Sequence, residues 1–166
     1  MAVVPAKIAY RLTYKAILQE RITLWIMSIY PSPISDFMIS KVITTTVEQT
    51  IQSVCKSMYE NNVACLIVVK RELNGLVPVG IITERDIVKI IGSSEVFIGQ
   101  APIREFMTYP LITGSPNTTI SQAVEIMDTN KIRRLPVIDS DKEGEKLVGI
   151  ISVKDILRVI EKSKRD

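Results

Sequence analysis

The chain has 166 residues, 46% of them apolar and 23% charged, with Lys+Arg 21 against Asp+Glu 18 for a formal net charge of +3. That length suits one ordinary domain burying about two thirds of its unfolded surface, and so small a basic excess makes no case by itself for nucleic acid. Two cysteines and no histidine exclude a disulfide framework, a Cys/His zinc cluster and the Ser-His-Asp and Cys-His nucleophilic sites.

In residues 1–33, Leu18, Ile22, Trp25 and Ile29 recur at 4, 3, 4 spacing, the apolar stripe of a helix that can pack on the rest of the chain or on a second subunit. Four basic side chains against Glu20 place the whole +3 on this extension, so the remaining residues sum to zero. A basic amphipathic helix can also lie on an anionic membrane or a polynucleotide. The apolar stretch 24–30 contains Ser28 and stops at Pro31, far short of the ~20 residues of a membrane span. Basic residues run through the segment where a signal peptide needs an uninterrupted apolar block, which predicts a cytoplasmic protein.

Residues 34–91 begin with a short turn ending at Phe37-Met38, followed by a short strand at Val42-Ile43-Thr44. Ile51, Val54, Cys55 and Met58 lie at i, i+3, i+4 and i+7, the pattern of an amphipathic helix. The β-branched run 63–69, a turn at Gly75 and a second run at 77–82 predict a strand pair, and a helix follows over 85–91. Gly, Ser and Pro mark 92–102 as a linker. Residues 103–160 then read the same way: a short strand at Ile112-Thr113, a helix on Ile120, Ala123, Val124 and Met127, strands at 132–138 and 147–151, and a helix from Lys154. Residues 161–166 form a tail.

The two segments are copies. Ile34-Ser-Asp-Phe-Met38 matches Ile103-Arg-Glu-Phe-Met107, and Val79-Gly-Ile-Ile-Thr83 matches Val148-Gly-Ile-Ile-Ser152, at one offset of 69 positions. Held without a gap, that offset makes about 19 of 58 aligned positions identical, far above chance. Each copy is a βαββα unit whose apolar strands need helices to cover them. One unit of this size is marginal alone, so two packed with pseudo-twofold symmetry make an α/β (α+β) module, with a cleft between related sheets where small ligands bind.

The doubled βαββα unit, with Gly-Ile-Ile-Thr83-Glu-Arg-Asp86 in one copy, Gly-Ile-Ile-Ser152-Val-Lys-Asp155 in the other and the run Arg133-Arg-Leu-Pro136-Val137, resembles a pair of cystathionine-β-synthase (CBS) domains, a Bateman module, over residues 34–160. The resemblance implies a non-catalytic regulatory sensor with AMP, ADP, ATP or S-adenosylmethionine in the inter-repeat cleft. It also implies a homodimer acting on a separate regulated protein. No cofactor is required and no metal site is expected, though Mg²⁺ can accompany ATP. The competing expectation is a nucleic-acid-binding or membrane-tethering protein that uses the basic N-terminal helix, with the pair as an oligomerisation scaffold. An enzyme is not expected, because the pair leaves no room for a catalytic domain.

Thr83 with Asp86 and Ser152 with Asp155 also fit a helix capping box, in which hydroxyl and acid satisfy backbone N–H groups. In the family the matching hydroxyl stands beside a phosphate at the helix N-terminus, and the aspartate accepts hydrogen bonds from the ribose hydroxyls. The same resemblance lines an adenine slot with Ile43-Thr44 and Val63-Ala64 in copy one, and with Ile112-Thr113 and Ile132-Arg133 in copy two. Thr44, Thr113 and Ala64 are the expected contacts. Arg133 and Arg134 are phosphate candidates, but consecutive strand residues face opposite ways, so one of them serves a given pocket. Gly80 and Gly149 are read as residues that let helix and sheet approach closely. The copies differ at the phosphate chemistry, and the expectation is asymmetric binding with the Thr83/Asp86 motif holding a nucleotide best.

Overall fold

The computed structural model describes residues 27–72, 75–95, 98–141 and 144–162. Leu18, Ile22, Trp25 and the basic side chains of the extension lie outside the described residues. Within them, no helix is long and apolar enough to cross a membrane.

Repeat one contains a one-turn 3-10 helix, Ile34–Asp36, then β1 (Thr44–Thr46), α1 (Ile51–Asn61), β2 (Cys65–Glu72), β3 (Gly75–Thr83) and α2 (Glu84–Ser93). Repeat two contains a 3-10 helix, Ile103–Glu105, then α3 (Ile120–Thr129), β4 (Arg134–Asp141), β5 (Gly144–Ser152) and α4 (Val153–Lys162). Thr50 and Thr119 cap α1 and α3, each accepting an N–H three residues on, so each helix starts at a defined cap. After those helices Asn62 and Lys131 both take positive φ, 51° and 54°, twin positions that reverse the chain into the next strand.

In the first sheet β2 is central, parallel to β1 and antiparallel to β3. Leu66, Ile67, Val68 and Val69 are all buried, which is why the run is continuously apolar instead of alternating. Bulges fall between Val68 and Val69 and between Val137 and Ile138, the same place in both repeats.

The second sheet has two strands, β4 and β5. The strand expected at Ile112-Thr113 is reduced to a single bridge between Gly114 and Val137. The reason is local: where repeat one has Thr45-Thr46-Val47, repeat two has Gly114-Ser115-Pro116. The Ser115 N–H turns to Thr118 Oγ1 at 2.9 Å, and Pro116 has no N–H to offer a ladder.

The repeats interlock more deeply than side-by-side packing of two closed units. Ile34, fully buried, belongs to the core of repeat two with Ile120, Met127, Leu135 and Ile151, while Ile103 belongs to the core of repeat one with Val54, Leu66 and Ile82. The backbone crosses in the same way. Ile39 and Ile150 exchange N–H···O bonds of 2.9 and 3.0 Å, and Ile81 and Thr108 exchange bonds of 3.1 and 2.9 Å. Gly80 and Gly149 face these crossings, so what approaches them is the other repeat's Met107-Thr108 or Met38-Ile39, not a helix of their own unit as the sequence suggested.

The internal symmetry also reaches further upstream than Ile34. The carbonyls of Ser32 and Tyr30 accept the Ile120 and Ser121 N–H groups, as those of Ala101 and Gly99 accept Ile51 and Gln52. These contacts satisfy donors left open at the helix starts. They are made by backbone, so they leave little trace in side-chain identity beyond Pro33 and Pro102.

Candidate functional site

The turns between β3 and α2 and between β5 and α4 place the two sequence motifs at helix N-termini. Thr83 N–H and hydroxyl both donate to Asp86 Oδ2, at 2.9 and 2.6 Å, and the Asp86 N–H returns to Thr83 Oγ1 at 3.3 Å. Ser152 and Asp155 repeat this, with Ser152 N–H at 3.0 Å from Asp155 Oδ2 and the serine hydroxyl on the same oxygen. Both motifs are therefore capping boxes. In each, one carboxylate oxygen is committed to the turn. The second oxygen of Asp155 faces Arg158 Nη1 at 3.5 Å.

A cavity of about 990 Å³ opens beside the second motif. Ser152, Asp155, Ala64 and Arg134 border it, together with Ile43 and Val63. Thr83, Asp86, Thr44, Thr113 and Arg133 do not. The copy-two motif shares this cavity with the copy-one slot residues, because the crossing of Ile39 onto Ile150 carries the start of repeat one over β5. The cavity at Ser152 and Asp155 brings slot residues, a hydroxyl and a carboxylate together. Thr44 and Thr113 are exposed twins on the far side of their segments. Arg133 and Arg134 face opposite ways, as strand geometry requires, and Arg134 is the one on the cavity.

Several bordering residues escaped the sequence reading. Tyr59, next to Met58 on α1, stands at the rim and is 87% exposed. Lys41 and Glu84 add charge to the walls, beside Lys154 from within the copy-two motif. Arg158 was legible in principle, three residues after Asp155 on a helix and so on the same face.

Apolar Ile43, Met58, Val63 and Ala64 border the cavity together with a hydroxyl, a carboxylate and cationic side chains. A flat apolar group, hydroxyls and an anion in one ligand match this mixed lining.

Cys55 and Cys65 also border the cavity. Burial pushes the Cys65 thiol up and Glu84 adds to the shift, while Arg134 opposes it; burial raises Cys55 as well. Near neutral pH both thiols therefore stay protonated, and the thiolate is the reactive form. Cys65 is expected to react with iodoacetamide more slowly than glutathione does, with the rate climbing only at more alkaline pH than an ordinary thiol requires. Time-resolved mass spectrometry of the alkylated peptide checks this, and a rate equal to that of glutathione at neutral pH would contradict it.

The CBS domain family matches residues 34–93 and 103–162. The CBS domain-containing protein YhcV of Bacillus subtilis is 34% identical over 125 residues, which cover 75% of this chain and 83% of that protein. An uncharacterized 17.7 kDa protein of Acidianus ambivalens is 33% identical over 127 residues, 76% of this chain and 72% of its own length. Among solved structures, the CBS domain pair of protein MJ0100, in complex with 5'-methylthioadenosine and S-adenosyl-L-methionine, superposes with a TM-score of 0.67 at 26% identity, covering 80% of this chain and 98% of that one. The family match spans both repeats and the pair aligns over nearly its whole length, so the chain belongs to the CBS-domain family and carries two CBS domains in tandem.

Proposed function

We propose that the chain is a non-catalytic regulatory module that takes an adenosine-containing ligand, AMP, ADP, ATP or S-adenosylmethionine, in the cavity between its repeats. The observation that carries this reading is the meeting of Ser152 and Asp155 with Ile43, Val63 and Ala64 on one 990 Å³ cavity. The adenine lies in the apolar slot, the ribose hydroxyls donate to Asp155, and the phosphate meets the start of α4 and the neighbouring cations. The adenosyl ligands held by the MJ0100 pair support the same chemistry on this fold. No cofactor is needed, and Mg²⁺ enters only as the counter-ion of ATP.

The cavity walls come from both repeats, so a bound ligand favours one relative placement of the two, and that differential affinity is the signal. The module acts as a cytoplasmic homodimer that reports to a separate protein. Isothermal calorimetry with AMP, ATP and S-adenosylmethionine tests the reading. At least one is expected to bind, and Asp155→Asn, which keeps an oxygen for the Ser152 N–H, is expected to weaken it about tenfold. No heat from any of the three, or unchanged affinity in Asp155→Asn, would overturn it.

A further inference from the structure

The two motifs are nearly superimposable in their hydrogen bonds but differ in one contact. Asp155 pairs through Oδ1 with Arg158 Nη1 at 3.5 Å, whereas the twin of Arg158 is Lys89, for which no ion pair with Asp86 exists among the described residues. The Asp155 side chain is 14% exposed and that of Arg158 is 59% exposed. The carboxylate thus sits within the cavity wall while the guanidinium reaches it from solvent. With Oδ2 held by Ser152 and Oδ1 by Arg158, both oxygens of Asp155 are engaged before any ligand arrives.

The surrounding charge is lopsided. Lys41, Arg134 and Lys154 border the same cavity with no ion pair to a described residue, and Glu84 is the one other acid on its walls. A partly exposed pair of this length is weakly held and readily exchanged. An arginine fork, by contrast, binds phosphate through two parallel charge-assisted hydrogen bonds.

We infer that Arg158 selects phosphorylated adenosines at this cavity by exchanging Asp155 for the ligand's phosphate. A ribose hydroxyl takes Oδ1 as Arg158 leaves it, and the phosphate of the same molecule receives the released guanidinium. An uncharged adenosyl compound frees Oδ1 but gives Arg158 no new partner, and a cationic one adds repulsion from Lys41, Arg134 and Lys154. The inference rests on the adenosine-ligand reading above and names the charge class of that ligand.

Calorimetric titration of the full chain with AMP and with 5'-methylthioadenosine tests it in wild type, Arg158→Gln and Arg158→Lys. Wild type is expected to prefer AMP by about tenfold or more. Arg158→Gln is expected to lose about tenfold in AMP affinity while 5'-methylthioadenosine affinity holds or rises, because Asp155 no longer has to be released. Arg158→Lys, with the charge but without the fork, falls between. A purely structural role for Arg158 would lower both affinities together; that result, or a wild type preferring the uncharged compound, overturns the inference while leaving the adenosine reading intact. A wild type that binds neither compound overturns the inference, and the adenosine reading falls with it only if ATP and S-adenosylmethionine also give no heat.

Discussion

Ile103→Ala is expected to destabilise the chain by about 3–4 kcal/mol, and Ile34→Ala by a similar amount, each with a single cooperative unfolding transition. Both side chains are fully buried, and alanine removes three heavy atoms from a packed site that collapses only in part, which places such changes in the range of about 2–5 kcal/mol. Against a total stability of about 5–15 kcal/mol for a domain, that is a large share. The location gives the prediction its content. Ile103 opens repeat two in sequence but packs with Val54, Leu66 and Ile82 of repeat one, and Ile34 packs with the core of repeat two. Each truncation therefore loosens the opposite repeat, and neither repeat cut at its sequence boundary carries its own core. Urea denaturation followed by far-ultraviolet circular dichroism measures the loss. A change below about 1 kcal/mol would mean that these crossings are superficial.

The order of elements was legible because one offset aligns Val54 with Ala123, Leu66 with Leu135 and Ile82 with Ile151, all buried in the structure. Apolar spacing marks a buried face without saying which repeat covers it. Ile34 and Ile103 look identical in sequence whether they pack at home or across, and crossing follows from the chain path at Ile39 and Thr108, set by backbone hydrogen bonds that no side chain announces. Ser152, Asp155, Ala64 and Arg134 were singled out from the motifs and the family resemblance and border one cavity, but that a copy-two motif meets copy-one slot residues there follows from the crossing of the chain, which residue order does not announce. Thr44 does not border this cavity although Ile43 does, because side chains alternate along an extended segment, so Ile43 faces inward and its neighbour faces solvent. The strand expected at Ile112-Thr113 was lost to Gly114, Ser115 and Pro116, whose effect on a ladder was visible in principle from their chemistry.

The two glycines at the crossings differ in a way that ordinary repeat symmetry would hide. A Cβ added at Gly80 would stand 2.8 Å from the backbone oxygen of Thr108 and 3.0 Å from Met107 Sδ. That oxygen accepts the Ile81 N–H, and the Thr108 N–H returns the bond to Ile81, so it cannot retreat without opening the pairing between repeats. At Gly149 the first obstruction is the Met38 side chain, with Cγ at 2.9 Å, while the backbone oxygen of Ile39 is 3.3 Å away. A methionine can re-orient through several torsions, and a backbone oxygen need then give only a few tenths of an ångström. Gly80→Ala is accordingly expected to cost about 2–3 kcal/mol and Gly149→Ala about 1 kcal/mol, after the small gain alanine brings by restricting the unfolded chain. Thermal unfolding of the two variants side by side reads the difference, and equal losses would show that the pairing of Thr108 with Ile81 yields as easily as a side chain. Ile39 and Ile150, at the crossing beside Gly149, both border the cavity at Ser152 and Asp155, whereas neither Ile81 nor Thr108 does. The crossing with the smaller expected loss is thus the one beside the cavity, so Gly149→Ala is the variant whose strain falls on a cavity wall through Met38 and Ile39.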